Sequence, residues 1–252
     1  MGTRWQRVAA LWRERGSRRL AYDAGLYVAL ELASLLLAPF RRRADGQAYY
    51  EIVQDFTTRV NAQQAPRVLE LGSRNVTGVR HRNDLAPHVD LVGLDVRAGQ
   101  DVDVVGDAHA LSASLPAESF DAVFAISVFE HLAMPWKVVL EINRVLKPGG
   151  LVLIATHPAW PPHEQPWDFW RFSSEAMRVL LNAETGFEIL RLGEGEPGRM
   201  LALTRTMPVR GLHHTACSLA VAALARKTGP AAEGLRWDLT PGDLLDTNYP
   251  PA

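Results

Sequence analysis

The stretch Pro66–Asn75, Pro-Arg-Val-Leu-Glu-Leu-Gly-Ser-Arg-Asn, constrains this chain more than any other. Val68, Leu69 and Leu71 form a short apolar run that follows a proline and stops at Gly72. That is the pattern of a buried parallel strand ending abruptly in a loop. Glu70 stands inside the run, and a carboxylate buried there costs stability unless it has partners. Gly72 lets the backbone come close to a ligand. In open parallel sheets ligands bind outside the carboxyl ends of the strands, so Glu70 and Gly72 mark the expected pocket. Taken alone, the run is equally an ordinary core strand with a turn glycine.

The segments that follow repeat the pattern. Val89–Asp95 is a second apolar run that ends in an acid, placed where such an acid can accept both hydroxyls of a ribose. Val102–Ala108 gives a third run with Asp107 at its end, and Phe120–Ser127 a fourth. Trp136–Leu146 reads as a helix with Val138, Val139, Ile142, Val145 and Leu146 on its apolar face; Lys147-Pro148-Gly149-Gly150 stops it, and Leu151–Thr156 is a fifth strand. Strands alternating with helices at this spacing predict a doubly wound α/β sheet.

The ordered set Glu70-Leu-Gly, Gly93-Leu-Asp95, Gly106-Asp107-Ala, Phe120-Asp-Ala-Val, Glu130-His131 and Leu146-Lys-Pro-Gly-Gly-Leu resembles the motifs of class I S-adenosylmethionine-dependent methyltransferases, type 11-like. The resemblance covers roughly residues 65–192. It extends to a bacterial subgroup whose fifth strand is followed by His-x-x-Pro-x-Asp-x-Trp-Arg-Phe, here His163, Pro166, Asp168, Trp170, Arg171 and Phe172. It implies a Rossmann-like sheet, mostly parallel with an antiparallel last strand, carrying N-terminal helices and a C-terminal helical addition. It also implies S-adenosylmethionine as cofactor. The expected cofactor residues are Glu70, Gly72, Ser73, Arg74, Asp95, Val96, Asp107, Ala108, His109 and Ser127, with Asp107 beside the adenine and Ser127 where the methionine part passes. The loop Gly72–Gly78 lacks the glycines that a dinucleotide pyrophosphate needs, which speaks against a nicotinamide oxidoreductase. It also holds fewer glycines than the commoner methyltransferase loop. Glu130 reads equally as a helix-capping acid and His131 as a structural histidine.

Thr156–Phe172 packs two histidines, three tryptophans and four prolines into one loop after the fifth strand. Rigid prolines lower the entropy lost on ordering it, and tryptophans supply broad apolar walls. It is the expected acceptor wall, formed by Trp160, Trp167, Asp168, Trp170 and Arg171, with Tyr49 and Tyr50 closing the pocket from a preceding helix. His163 is the candidate general base, oriented by Asp168, and His157 the reserve. A structural reading stands beside this one: Asp168 pairing Arg171, with the tryptophans packed on the sheet edge. His157, His163 and Asp168 match no metal-ligand spacing, and no metal is expected.

The remainder sets bounds. A chain of 252 residues, 47% hydrophobic, holds one α/β domain with additions. A net charge of −1 creates no field favouring nucleic acid, and the single cysteine, Cys217, forms no internal disulfide and suits a reducing compartment. No cleavable signal is evident, and the expected location is cytoplasmic. The expected division is a helical arm at 1–60, the cofactor domain at 61–206, and a helix with tail at 207–252. Trp5–Arg15 reads as a basic helix. Residues 20–43 approach a membrane span, but Asp23, Glu31 and Pro39 interrupt them, so packing on the domain or on a partner chain is the better reading and membrane-surface contact the weaker one. Pro208–Lys227 reads as an apolar helix, and the last strand falls at Met200–Thr206 or near Leu244–Tyr249. A dimer is compatible with the sequence. The function expected is methyl transfer to a small-molecule hydroxyl, on a sugar, a glycan or a bacterial secondary metabolite. Transfer to nitrogen or carbon, a non-catalytic cofactor-binding scaffold and a membrane-bound assembly subunit are the alternatives.

Overall fold

The structure is a computed structural model that describes residues 17–41, 47–75, 78, 80–204, 206, 207, 209 and 211–235. The helix expected at Trp5–Arg15, the arginines at 42–43 and the alternative last strand at Leu244–Tyr249 lie outside the described residues. The chain divides into two units, 1–43 and 44–252, so the boundary falls before residue 60.

In the first unit helix α1 spans Ser17–Leu37. Its apolar residues are spread around the circumference instead of forming one stripe. Among the described residues Ala21–Phe40, with a mean hydropathy of 1.4, is the one segment long and apolar enough to cross a membrane.

The second unit is built on a single sheet. In chain order its elements are helix α2 (Ala48–Asn61), strands β1 (Arg67–Leu71), β2 (Asp90–Asp95), β3 (Val104–Val105) and β4 (Phe120–Ile126), helix α3 (Pro135–Val145), strand β5 (Leu146–Thr156), helix α4 (Ser174–Leu180), and strands β6 (Phe187–Arg199) and β7 (Ala216–Lys227). The strand order is β3-β2-β1-β4-β5-β7-β6. β1 to β5 run parallel, and β7 is antiparallel to both β5 and β6. The order reverses between β1 and β4, and an open sheet binds ligands at such a switch point.

Alternation along each strand divides the core. Leu69, Leu71, Val123, Ala125, Val152 and Ile154 turn to one face, against Val138, Val139, Ile142 and Val145 of α3 and Met177 and Leu180 of α4. Val68, Ala122, Phe124, Leu151, Leu153 and Ala155 turn to the other, against Ile52, Phe56 and Val60 of α2, which recur at helical spacing. Helix α3 starts with Pro135 in its first turn, and the Ser173 hydroxyl caps α4 by accepting from the Ala176 amide. Helix α2 approaches β6 so closely that a Cβ on Gly193 would lie 2.5 Å from the Ala48 Cβ.

β7 corrects two expectations. Ala216–Lys227 is a strand and not a helix, and Met200–Thr206 is not the last strand. β7 inserts between β5 and β6, with Val221, Ala223 and Ala225 on one face and Ala222 and Leu224 on the other. A strand covered on both faces is apolar at every position, so the period that distinguishes strand from helix disappears. Its alanines favour helix by propensity, but here they let two layers close over a central strand.

The end of β7 also completes α3. The Lys227 amine is buried and donates to the carbonyls of Asn143, at 2.8 Å, and Leu146, at 2.7 Å, where the helix runs out of its own donors. Replacing it by methionine keeps the aliphatic stem and leaves both carbonyls without this donor. Lys227→Met should lower the unfolding free energy by about 1–3 kcal/mol. Urea unfolding reads this as a lower midpoint at unchanged m; an unchanged midpoint would show that the amine stabilises nothing.

Candidate functional site

Three of the parallel strands, β1, β2 and β3, deliver one acid each towards the carboxyl edge of the sheet. Glu70 lies on β1, Asp95 ends β2 and Asp107 follows β3. Glu70 has the partner its burial demands: Arg82 donates to Oε2 from Nε at 3.0 Å and from Nη2 at 2.9 Å. Burial pushes the Glu70 carboxyl up, and the Arg82 guanidinium opposes that shift. Arg82 also binds Asp101, through its carbonyl at 3.0 Å and its carboxylate at 3.2 Å. Arg82 was not singled out from the sequence, because an arginine between polar neighbours in a loop carries no signal of burial.

Asp95 accepts the Arg97 amide at 2.9 Å and faces the Arg74 guanidinium at 3.4 Å, both through Oδ1. Asp107 accepts the amide of His109 at 2.9 Å and its ring Nδ1 at 2.7 Å, again through Oδ1. Partial burial pushes the Asp107 carboxyl up, but the His109 contacts outweigh it and hold the group below the usual carboxylate range. His109 in turn accepts the Met134 amide at Nε2, which fixes its tautomer. In both aspartates the described contacts fall on a single oxygen. A nucleoside needs acceptors of this kind for its ribose hydroxyls and adenine amine. The buried Ser73 Oγ lies among these residues without a hydrogen-bond partner. A Cβ on Gly93 of β2 would come within 2.7 Å of it. These groups fit the nucleoside and amino acid parts of S-adenosylmethionine.

Gly72 differs in its reason. Its φ is +70°, and a Cβ there would lie 2.4 Å from Cγ2 of Val128. The glycine is required by the approach of the turn after β4, so it joins the ends of β1 and β4 at the switch point. Of the other expected cofactor residues, Val96 is exposed and Ala108 packs on the core.

The loop after β5 is held by Arg171. It grips Asp168 through two nitrogens, at 2.6 and 2.9 Å, and donates to the carbonyls of Trp160, Pro161 and Trp170. Hydrogen bonds from Arg171 and from the His163 amide hold the Asp168 carboxyl well below the usual range. Asp168 therefore reaches His163 through the backbone, at 2.9 Å, and stands 3.6 Å from its ring. The Trp170 indole donates to the Leu132 carbonyl at 2.8 Å. Asp168, Trp170 and Arg171 are thus bound to one another and to the fold, while Trp160 and Trp167 present exposed rings.

Around this loop five side chains converge from segments that the sequence separates widely. The turn after β4 bears Ser127, Glu130 and His131. His157 directly follows β5, and His163 lies in the loop. Ser127, with φ at +55°, brings its Oγ to 3.2 Å from His157 Nε2. Glu130 is fully buried and accepts the Thr156 hydroxyl at 2.6 Å. His157 is stacked on Trp160 with ring centroids 4.6 Å apart. Tyr49 belongs to the same region: burial, followed by the charges of Glu196 and Glu130, pushes its phenol up to about 12. Tyr50 is engaged by the Glu196 carboxylate, which likewise pushes it up to about 12.

Residues 61–154 match a family model described as a methyltransferase domain. Over 111 residues, 43% of the chain, the sequence is 36% identical to 2-methyl-6-phytyl-1,4-hydroquinone methyltransferase of Synechocystis sp.. The chain spans about a third of that relative's length, 32%. A solved S-adenosylmethionine-dependent methyltransferase from Archaeoglobus fulgidus has a TM-score of 0.51 at 16% identity, covering 69% of this chain and 91% of that one. The YcgJ protein of Bacillus subtilis has a TM-score of 0.52 at 16% identity, covering 71% and 99%. Residues 61–154 thus match a methyltransferase domain, and the sheet has the Rossmann-like fold of these solved structures.

Proposed function

We propose that the protein transfers a methyl group from S-adenosylmethionine to a hydroxyl of a small-molecule acceptor held against the loop after β5. One observation supports this above the others. His157 follows β5, Ser127 follows β4, and the His157 ring is oriented so that its Nε2 meets the Ser127 hydroxyl at 3.2 Å. His157 Nδ1 faces the Leu219 carbonyl at 3.1 Å. A carbonyl only accepts, so Nδ1 carries the hydrogen and Nε2 presents the lone pair that a base requires.

In this reading Asp95 takes the ribose and Asp107 the adenine. Ser73, the end of β1 and Arg74 take the amino acid head. S-adenosylmethionine brings a methyl group already activated on a sulfonium sulfur, so the protein's chief task is to position the acceptor oxygen in line with it. His157 accepts the hydroxyl proton at Nε2, from the position where Ser127 donates. Trp160, stacked on His157, and Trp167 form the acceptor wall, and the Tyr49 hydroxyl stays protonated as a donor. The Nε2 atoms of both His157 and His163, the base favoured from the sequence, face Glu130, but His157 is the one that meets Ser127, so we assign the proton to His157. The acceptor class inferred is a sugar, a glycan end or a bacterial secondary metabolite, which aromatic walls suit. The Synechocystis relative, named for a hydroquinone, favours a second reading in which an aromatic ring lies on the same wall.

Two substitutions separate cofactor from chemistry. Asp95→Ala should weaken S-adenosylmethionine binding by about 1–3 kcal/mol, the value of a hydrogen bond to a charged group. Calorimetry measures it, and unchanged affinity in a folded variant would remove Asp95 from the ribose. His157→Gln keeps a hydrogen bond but takes no proton. It should lower single-turnover methylation by roughly 10²–10⁴-fold with cofactor affinity retained, measured on a panel of sugar and hydroquinone acceptors. Wild-type rates in His157→Gln would leave positioning alone as the source of the rate.

A further inference from the structure

Among the described residues Glu130 is the most deeply buried acid, at 0% exposure. Its Oε2 is satisfied by the Thr156 hydroxyl, whereas its Oε1 is closed to water and has no hydrogen-bond partner. Three imidazoles present the same atom to that oxygen. Nε2 of His157 lies 3.5 Å away, and Nε2 of His131 and of His163 each lie 4.0 Å away.

The opposite nitrogen of every ring meets a backbone carbonyl: Leu219 for His157, Pro161 for His163 and Trp167 for His131. Each Nδ1 therefore carries hydrogen, and each neutral ring turns an Nε2 lone pair inward. Nitrogen lone pairs and a buried carboxylate oxygen directed at one another are unfavourable unless a positive group stands between them. A backbone carbonyl fixing Nδ1 while Nε2 is left to bind is also how metal-ligating histidines are held.

A proton on one Nε2 is the simpler candidate. The shortest Nε2 to Oε1 separation, 3.5 Å, exceeds the roughly 2.7–3.2 Å of an N–H···O bond. Ligands about 2.0–2.1 Å from a tetrahedral ion stand about 3.4 Å from one another, so the 4.0 Å separations of Glu130 Oε1 from Nε2 of His131 and His163 need to shorten by only about 0.6 Å for an ion to be held. The ligand atoms of Glu130, His131 and His163 all lie within 4.8 Å of one another. His157 is set slightly apart, with its Nε2 also meeting Ser127. The rings are 16–29% exposed, which gives an ion a way in.

We infer that Glu130, His131 and His163 form a site for a first-row divalent cation of the zinc type, with His157 at its edge. Two imidazoles and one carboxylate select such ions over magnesium or calcium. Three protein ligands leave a coordination position open, where the ion would polarise a bound oxygen. Asp168, the third ligand considered from the sequence, takes no part because Arg171 holds it. The site stands on these side chains alone and does not require the methyl-transfer reading.

The test uses untagged full-length protein, stripped with a chelator and titrated with zinc by calorimetry and with cobalt by visible absorption. One equivalent should bind, with a cobalt spectrum typical of nitrogen ligation and low coordination number. His163→Asn, which alters a partly exposed loop side chain, and Glu130→Gln should each weaken binding at least about 10-fold. His213→Ala, distant in sequence from the cluster, should leave it unchanged. Circular dichroism verifies that the variants are folded, and His163→Asn suffices if Glu130→Gln is not. No saturable binding by wild type, or the same affinity and cobalt spectrum in folded His163→Asn, would overturn the site.

Discussion

The site depends on one buried carboxylate. Glu130 sits in the turn after β4, and the loop after β5 hangs on it. Its backbone carbonyl accepts the amides of Phe169, at 2.8 Å, and Trp170, at 3.1 Å, while its Oε2 takes the hydroxyl of Thr156, the last residue of β5. A single residue thereby ties the ends of two neighbouring strands to the aromatic loop. The arrangement is stable only if its second oxygen, at the centre of three imidazoles, is also compensated. That need links architecture to chemistry: the contacts that order the loop are the ones that collect titratable groups beside the cofactor edge.

A division of labour follows along the sheet. Acids at the ends of β1, β2 and β3 meet polar partners, Arg82, Arg74 and His109, that fix their orientation. In Asp95 and Asp107 those partners occupy one oxygen only. On the other side of the switch point the turn after β4 and the loop after β5 supply serine, histidines and aromatic walls. Gly72 joins the halves, because only a residue without Cβ lets the end of β1 meet Val128. Helix α2 packs closely on β6, with Tyr49 within reach of the Glu130 charge.

Much of this was legible in the sequence, and the exceptions have physical causes. Strands β1 to β5 and helix α3 were readable because apolar runs ended by acids and glycines are local signals. β7 was not, since a central strand covered on both faces has no period, and its alanines point to helix. The places of Glu70, Asp95 and Asp107 at the strand ends were readable. Arg82 was not, because its burial is created by Glu70 and Asp101, which lie elsewhere in the chain. The tryptophan-rich loop announced itself by composition, and of the two readings open for Asp168 the geometry favours pairing with Arg171 over orienting the His163 ring. Glu130 and His131 were read as a capping acid and a packing histidine, a fair account of any such pair until the fold brings His157 and His163 onto the same oxygen.

The most direct measurement is the crystal structure of the full-length protein with S-adenosylhomocysteine. The account predicts the ribose hydroxyls on Asp95, the adenine beside Asp107, and the sulfur facing the gap between Ser127 and His157. A ribose held elsewhere, or a sulfur walled off from His157 by the loop after β5, would contradict it.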